Sequence, residues 1–386
     1  MLTKDLTSRA ERTAAAAAEN ADAVDREARF PVEAFAAARA QRLLGILVPR
    51  DLGGEGASLG DAVEICYALG RACASSGMIY AMHQIMVAIL VRHARGSRWH
   101  QRLLQRLSDD QLLIASSTTE AQGGGDLRAS ACAVERNASR IALAKSATVV
   151  SYGEHAQAIL TTARRASDAL PSDQVLVAFV KDDYQLERIS DWNTLGMRGT
   201  CSPGFELRGQ GVVEQILPEP YQKIQAFTMM PVAHLTWSAV WSGLAAGAVE
   251  CTRRFVRAAA RQAGGRLPPG AAHLTRASMS LRTLRGLVGS ALQRFEATTA
   301  DDVIESLDFQ TAFNLLKVSA SELAISTVMS CAQACGLAGY RNDGEFSISR
   351  YLRDVLSSSI MISNDRILAS AAAASTLVEA PTVLVE

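Results

Sequence analysis

A run of hydroxyl, carboxyl and glycine residues, Thr119–Asp126 (TEAQGGGD), follows an apolar segment of the chain. Hydroxyls and unobstructed backbone amides at the end of a strand can hydrogen-bond the polar edge of a flat ring system such as an isoalloxazine. Glycines allow such a ring to approach the backbone closely. Taken alone, the same composition more often marks a solvent-exposed turn.

Two further segments are rich in glycine: Pro49–Gly56 (PRDLGGEG) and Gln333–Tyr340 (QACGLAGY). The glycines of the second segment would also end a helix, because glycine adopts the left-handed conformation that closes a helix without steric cost. Arg350, Arg353 and Asp354 have helical spacing. We interpret these three residues as partners in ion pairs within or between helices.

Charge and cysteine usage exclude several classes of function. The chain has 39 basic and 39 acidic residues, and this zero net charge is unlike the basic surface of a nucleic-acid-binding protein. The seven cysteines are scattered, and Cys331 and Cys335 have no second Cys/His pair nearby to complete a zinc site. We therefore predict no metal site, and buried thiols in a reducing cytoplasm.

The segments that carry these residues belong to three regions of different sequence pattern. Residues 1–113 and 218–386 are helical in pattern, with a break at the glycines and prolines of 264–270. Between them, residues 114–217 contain short β-prone runs, namely Ala131–Glu135, Arg140–Ala144, Gln157–Thr162 and Gln174–Val180. This order predicts an α+β multidomain protein with an N-terminal helical domain, a central antiparallel β-barrel-like domain and a C-terminal helical bundle.

A cleft is expected where the β domain meets the bundle, and such junctions commonly hold a bulky cofactor. The N-terminus lacks the apolar core of a signal peptide, and the sequence has no continuous apolar stretch of about 18 residues. We therefore predict a cytoplasmic protein that does not cross a membrane. The zero net charge also suits a homodimer or homotetramer.

Five segments occur in the same order as signature segments of the acyl-CoA dehydrogenase superfamily. They are Pro49–Gly56, Thr119–Asp126, Leu195–Thr200 (LGMRGT), Gln333–Tyr340 and Arg350–Asp354 (RYLRD). The chain resembles these flavoproteins over nearly its whole length, and the resemblance implies FAD as the cofactor.

The resemblance also implies which residues contact FAD. Ser116, Thr118 and Thr119 would face the flavin ring, whereas Gln333 and the glycines after it would receive the adenine or pyrophosphate end, from a neighbouring subunit. The full implied set is Ser116, Thr118, Thr119, Val149, Gln333, Gly336, Leu337, Asn364 and Arg366. Relatives often have a Trp-x-Thr segment at the position of Ala147–Val149, so the indole and the hydroxyl of that segment are both missing here.

The glutamate that many relatives use as catalytic base aligns with Ile362, which cannot accept a proton. Other relatives carry the base on an earlier helix, at the position of Val240. Desaturation of a thioester needs a base within reach of the α-proton, with a pKa raised by a dry pocket. Asp365, which a helix would place on roughly the same face as Ile362, is a weak candidate for this role. Glu120 and His234 are further possibilities.

Three other residues could be structural or functional. His83 lies where ordinary dehydrogenases frequently have a histidine, and we interpret it as a structural residue. Trp237 and Trp241 are four residues apart on one helix face, so they could line a substrate pocket or pack in the core.

The resemblance implies α,β-dehydrogenation of an acyl thioester carried by CoA or a carrier protein, with Gly125, Trp241 and Ile362 in the substrate site. Gly125 replaces a serine that touches the carrier in many relatives. Two alternatives stay open. One is a flavin-dependent monooxygenase of the same fold, which uses a C4a-hydroperoxide and a flavin-reductase partner. The other is a non-catalytic subunit of a heteromeric acyl-CoA dehydrogenase. An electron-transfer protein would be the partner of the dehydrogenase.

Overall fold

The computed structural model describes residues 3–120 and 129–377. The chain begins with five helices, which are α1 (Lys4–Glu27), α2 (Val32–Ala40), α3 (Leu59–Ala72), α4 (Ala74–His93) and α5 (Arg98–Asp110). Ser58 fixes the start of α3, because its hydroxyl accepts from the Asp61 amide while the Asp61 carboxylate accepts from the Ser58 amide. Helix α4 is buried along almost its whole length and forms the centre of this region.

Seven short strands follow, in two sheets. They are β1 (Ile114–Ser117), β2 (Glu135–Asn137), β3 (Arg140–Ala147), β4 (Ala158–Arg164), β5 (Gln174–Val180), β6 (Tyr184–Arg188) and β7 (Phe205–Val212). The strand orders are β1-β4-β5 and β2-β3-β7-β6. The pairs are antiparallel except that β1 runs parallel to β4. The predicted central antiparallel β region is therefore confirmed, with this one parallel pair added.

The burial patterns of the strands explain which of them could be predicted from the sequence. Alternate residues of β3 are buried, whereas β4 and β5 are buried at nearly every position because both of their faces are covered. The predicted run Ala131–Glu135 is wrong in position, since the strand begins only at Glu135. Strand β7 contains Gly209, where a Cβ atom would lie 2.5 Å from the ring of Phe179. Packing therefore requires glycine at a position that lowers the β-propensity of the strand.

The remainder of the chain is a helical bundle. Its elements are α6 (Tyr221–Ile224), a π-helical turn (Gln225–Met229), α7 (Met230–Gln262), α8 (Ala271–Ala297), α9 (Asp301–Glu305), α10 (Leu307–Cys335), α11 (Leu337–Tyr340), α12 (Ser349–Ile360) and α13 (Asn364–Ser375). The predicted break between α7 and α8 is confirmed. Gly264 and Gly265 there have φ values of +64° and +93°, which glycine adopts readily.

Glycines allow the bundle to pack closely against the N-terminal helices. A Cβ atom on Gly243 of α7 would lie 2.1 Å from the main-chain oxygen of Tyr67 on α3, and one on Gly70 would lie 2.4 Å from that of Val240. Helices α3 and α7 are thus in backbone contact. This contact fixes the position of α7 against the N-terminal helices. Helices α7 and α4 both line the cavity described below.

Two helices, α4 and α10, are long and apolar enough to cross a membrane by length and composition alone. Of their most apolar stretches, 83% and 50% respectively are buried inside the fold, as is common for core helices. All seven cysteines are free, and six of them are buried. Within residues 3–120 and 129–377, no group of His, Cys, Asp and Glu side chains could hold a metal ion.

Candidate functional site

A cavity of about 610 Å³ lies where the N-terminal helices, the β region and the bundle meet. One part of its wall comes from the end of β1 and from the loops after β3 and β6. The rest comes from α4, from the π-helical turn with the start of α7, and from the end of α12. Pockets of this size accommodate a drug-sized ligand or a cofactor ring.

The β-region wall of the cavity carries hydroxyl groups. Ser116, Thr118 and Thr119 all line it, as the sequence predicted, and so does Val149. The Thr119 hydroxyl donates to the main-chain oxygen of Val149 at 3.4 Å, which joins the two segments. The hydroxyls of Ser116 and Thr118 have no hydrogen-bond partner among the residues that the structure describes. Both are therefore available to a ligand.

A buried ion pair holds this hydroxyl wall in place. Lys145 of β3 is fully buried, and its ammonium donates to the main-chain oxygen of Ser117 at 3.0 Å and to Thr162 Oγ1 at 2.8 Å. It also lies 3.3 Å from the Glu120 carboxylate, which accepts from the Ser130 hydroxyl and the Ala131 amide. The pKa of Glu120 is lowered. Burial acts to raise this pKa, but the hydrogen bonds from Ser130 and from the amides of Ala131 and Cys132, together with the charge of Lys145, outweigh burial. Glu120 is thus an ionised structural carboxylate that does not line the cavity.

His234 of α7 lines the cavity and has one nitrogen free. Its Nδ1 donates to the main-chain oxygen of Phe313 at 2.9 Å, which makes Nε2 the unprotonated nitrogen of the neutral ring. No partner for Nε2 is found in the described part of the chain. Burial lowers the pKa of His234 to about 4, so the ring is neutral at physiological pH. His234 therefore presents a hydrogen-bond acceptor at the cavity wall.

Ile362 also lines the cavity, in the turn between α12 and α13. Its φ is +49°, a left-handed conformation that is rare for a β-branched residue. Lys317, fully buried in α10, donates to the main-chain oxygen of Ile362 and to Oδ1 of Asn364, each at 2.7 Å. Asn364 Nδ2 donates in turn to the Ser321 hydroxyl at 2.9 Å. Asn364 thus uses both ends of its amide to hold this turn, and its predicted contact with the cofactor stays a prediction.

Among the described residues, no carboxylate lines the cavity. The ionisable side chains on its wall are His234 and Arg353. Arg353 forms an ion pair with Asp25 and donates to the main-chain oxygen of Leu195 at 2.9 Å. The ion pair predicted for Arg353 is confirmed, whereas Asp354 accepts from the Met197 amide at 2.6 Å. The described wall therefore has neither a carboxylate base nor an unpaired cation.

Several other candidates lie outside this cavity. Asp365 is exposed on α13 and does not line it. His83 uses both ring nitrogens inside the fold, since Nε2 donates to Leu44 O at 2.9 Å and Nδ1 accepts from the Ile114 amide at 3.0 Å. Trp241 is buried in the core and does not line the cavity, whereas Trp237 lines it. His83 and Trp241 are thus packing residues in this structure.

The remaining predicted residues are remote or lie outside the described ranges. Gln333, Gly336, Leu337 and Arg366 are exposed and do not line the cavity of their own chain. Gly125 lies outside the described residues. Sequence reasoning missed Lys317, although a single lysine in the apolar stretch Ala312–Ala324 (AFNLLKVSASELA) is an unusual pattern for a helix core.

Two family models match the chain. Residues 3–109 match the model described as acyl-CoA dehydrogenase, N-terminal domain, and residues 225–376 match that described as acyl-CoA dehydrogenase, C-terminal domain. Together they cover both helical regions that line the cavity.

Individual relatives differ in their reactions. The chain is 27% identical over 362 residues to the amino sugar nitrososynthase DnmZ of Streptomyces peucetius, covering 87% of this chain and 84% of that protein. It is 26% identical over 343 residues to a probable acyl-CoA dehydrogenase, fadE25, of Mycobacterium leprae, covering 86% and 84%. An FMN-bound structure of TdsC from Paenibacillus sp. A11-2 superposes with a TM-score of 0.84 at 18% identity, covering 98% of this chain and 99% of that chain. TdsC is described as a dibenzothiophene monooxygenase.

Proposed function

Because the chain belongs to the acyl-CoA dehydrogenase family, we propose that it is a flavin-dependent monooxygenase that oxygenates a small substrate in the cavity. One observation carries the proposal. Ile362 lines the cavity at the place where desaturation needs a carboxylate, and among the described residues no carboxylate lines the cavity. A dehydrogenase without a base near the substrate's α-carbon would lose its proton-transfer step. Oxygen transfer does not require that base.

The hydroxyl wall fits a flavin ring. The free hydroxyls of Ser116 and Thr118 can donate to the carbonyl oxygens and ring nitrogens of an isoalloxazine, whereas the hydroxyl proton of Thr119 is bound to Val149 O. When bound and reduced, the flavin supplies the electrons that activate dioxygen. FAD is the cofactor implied by the sequence, whereas the TdsC structure holds FMN. The exposed Gln333 and Leu337 are accessible to the adenine end of an FAD held by a second copy of the chain.

His234 would handle the proton of the substrate. Its neutral ring can accept a hydrogen bond from a substrate N–H or O–H and take up that proton as oxygen is transferred. The bond from Nδ1 to Phe313 O orients the ring for this role. The methionines and other apolar side chains that line the cavity exclude water, which protects the reaction from wasteful side reactions.

The relatives support the proposal at the level of reaction class. DnmZ is named as an amino sugar nitrososynthase, and TdsC is described as a dibenzothiophene monooxygenase. DnmZ matches this chain over 84% of its own length. TdsC has the same overall fold and holds FMN. The sequence identity of DnmZ to this chain is as high as that of the mycobacterial dehydrogenase.

The test has two parts. First, the purified protein is titrated with FMN and with FAD, and the spectrum and affinity of each are recorded. Second, the protein with the tighter flavin is supplied with a flavin reductase, NADH and isotopically labelled dioxygen, and its products from indoles, amino sugars and thiophenes are analysed by mass spectrometry. Incorporation of one labelled oxygen atom is expected. No labelled product, together with reduction of the flavin by an acyl-CoA without oxygen, would overturn the proposal.

The second candidate is α,β-dehydrogenation of an acyl thioester. The free Nε2 of His234 favours it, because this nitrogen could act as a substitute base. Anaerobic mixing with butyryl-CoA distinguishes the two reactions, since only a dehydrogenase would bleach its oxidised flavin. A protein that takes up neither FMN nor FAD would be the non-catalytic subunit.

A further inference from the structure

The lining of the cavity is rich in methionine, and the methionines that line it are called the methionine wall. The chain has ten methionines, and seven of them line this cavity. Met78, Met82 and Met86 are spaced four residues apart on α4, so one helix face presents a row of thioethers. Met197, Met229, Met230 and Met361 reach the same space from separate loops and helices. Such convergence from distant parts of the chain does not follow from the periodicity of any one helix.

Three of these methionines are incompletely buried. Met82, Met229 and Met361 are only half-buried, and all three line the cavity. Methionine is unbranched and polarisable, and its sulfur makes favourable contacts with aromatic rings. A wall of this kind adapts to flat, polarisable ligands better than to hydrated ones.

Besides the hydroxyls and Trp192 of the β-region wall, the polar side chains that line the cavity are His234, Trp237, Arg353, Gln225, Asn314 and Ser357. His234 presents an acceptor, because its one proton is on Nδ1 and is bound to Phe313 O. The Trp237 ring lies beside it, with ring centroids 6.0 Å apart. Arg353 is occupied by Asp25 and Leu195 O. The described wall thus has no free cation for the phosphates of a nucleotide sugar or of CoA.

We propose that the substrate is an aromatic heterocycle with one N–H or O–H donor, held against the methionine wall with its donor on Nε2 of His234. This inference rests on the proposed oxygenase function and specifies its substrate class. The methionine sulfurs and the Trp237 ring contact the faces and edges of the aromatic system. The bond from this donor to Nε2 orients the ring system, because Nε2 of His234 has no partner among the residues that the structure describes.

Two isosteric probes test the orientation. Indole carries an N–H, whereas benzothiophene has the same ring shape and no donor. Both are titrated into the protein with oxidised flavin bound and no reductant present, and binding is followed by calorimetry. We expect indole to bind about two- to tenfold more tightly than benzothiophene, from one additional hydrogen bond. In His234→Asn this preference should disappear. If wild-type protein binds both equally, the assignment of His234 is wrong.

Matched variants test the methionine wall. Met82→Leu keeps the side-chain volume and removes the sulfur, and it should weaken indole binding about two- to tenfold. Met279→Leu is the control, since Met279 is 64% exposed on α8 and away from the cavity. Equal affinities in wild type and Met82→Leu would contradict a role for the thioether.

Competing ligands separate this inference from the proposed function. If dTDP or butyryl-CoA binds and indole does not, the aromatic substrate class is overturned, while oxygenation of another substrate would still support the oxygenase. If indole binds as expected but no labelled oxygen enters any product, the binding site stands and the oxygenase function fails.

Discussion

The ammonium of Lys317 donates to the main-chain oxygen of Ile362 at 2.7 Å and so ties the middle of α10 to the turn on the cavity wall. The same nitrogen donates to Asn364 Oδ1 at 2.7 Å and lies 5.8 Å from the ring centroid of Trp241. These contacts keep Ile362 in its left-handed conformation, which costs a non-glycine residue about 1–3 kcal/mol. A buried lysine thus positions the residue that replaces the family's base.

Replacing Lys317 with methionine tests this anchor. Lys317→Met leaves Ile362 O and Asn364 Oδ1 without their hydrogen-bond donor, which destabilises the folded state. The variant also no longer has to bury an ammonium, but the free energy gained in this way offsets only part of the destabilisation. We expect the free energy of unfolding in urea to fall by about 1–3 kcal/mol. Lys4→Met is the control, since Lys4 is exposed at the start of α1. This change should alter the free energy of unfolding by less than about 0.5 kcal/mol. Equal effects of the two changes would show that Lys317 is not an anchor.

The stability of the protein should depend on pH through Lys317. Burial lowers the pKa of Lys317 from 10.5 to about 8. Between these two values the unfolded chain binds more protons than the folded chain, so this group makes the protein more stable as pH rises. The difference in unfolding free energy between wild type and Lys317→Met should therefore shift in favour of wild type from pH 8 to pH 10.5. A difference that is constant over this window would contradict the lowered pKa.

Substitutions of His234 separate orientation from proton transfer. The amide of asparagine can replace Nδ1 and keep the bond to Phe313 O, but nothing then replaces Nε2. We expect His234→Asn to lower kcat for oxygenation by about 10²–10⁴-fold while it leaves the fold intact. His234→Gln, whose amide reaches closer to the position of Nε2, should retain more activity. Similar rates for wild type and His234→Asn would exclude His234 from the reaction.

The dependence of the reaction rate on pH at low pH gives a second test of His234. Because burial lowers the pKa of His234 to about 4, the ring stays neutral at every pH well above that value. The rate should therefore lose its His234-dependent part only near pH 4, and not near the ordinary histidine pKa of about 6.5. An acid limb centred near that ordinary value would point to a different group.

Ile362→Glu places a carboxylate where the family's base stands. We expect anaerobic butyryl-CoA to bleach the flavin of this variant, because the base can then remove an α-proton. Ile362→Gln is the matched control, since it has nearly the same shape and no basic group, and its flavin should stay oxidised. Bleaching in wild type would instead show that the native site already has a base.

The buried ion pair under the hydroxyl wall should be important for flavin affinity. Glu120→Gln removes the counter-charge of Lys145 and should lower the free energy of unfolding by about 2–4 kcal/mol. The double variant Glu120→Gln, Lys145→Met should recover part of this loss, because it removes the unpaired charge as well. Flavin titration of both variants then shows whether the wall keeps its geometry. A double variant that is no more stable than the single one would contradict the pairing.

The sequence predicted the architecture better than its details. The change from helical to β-prone pattern matches the interval between the end of α5 at Asp110 and the start of β1 at Ile114. Local signals in the sequence define helix α3 (Leu59–Ala72), because a capping box starts it and its apolar residues form one face. Strand β7 was not predicted, because the ring of Phe179, which is distant in sequence, requires glycine at position 209 and so lowers the β-propensity of the segment. The parallel pairing of β1 with β4 has no local signal at all.

By itself, the sequence determined the family, the order of the three regions and the absence of a glutamate at Ile362. These properties depend on residue types and on local spacing. Only the tertiary structure decided which side chains meet at the cavity. It joined Lys317 to Ile362, left Nε2 of His234 free, and committed Glu120 to Lys145. It also gathered methionines from separate parts of the chain at one cavity. The physical reason is that burial and hydrogen-bond partners, which set the chemistry of these groups, come from residues far apart in the sequence.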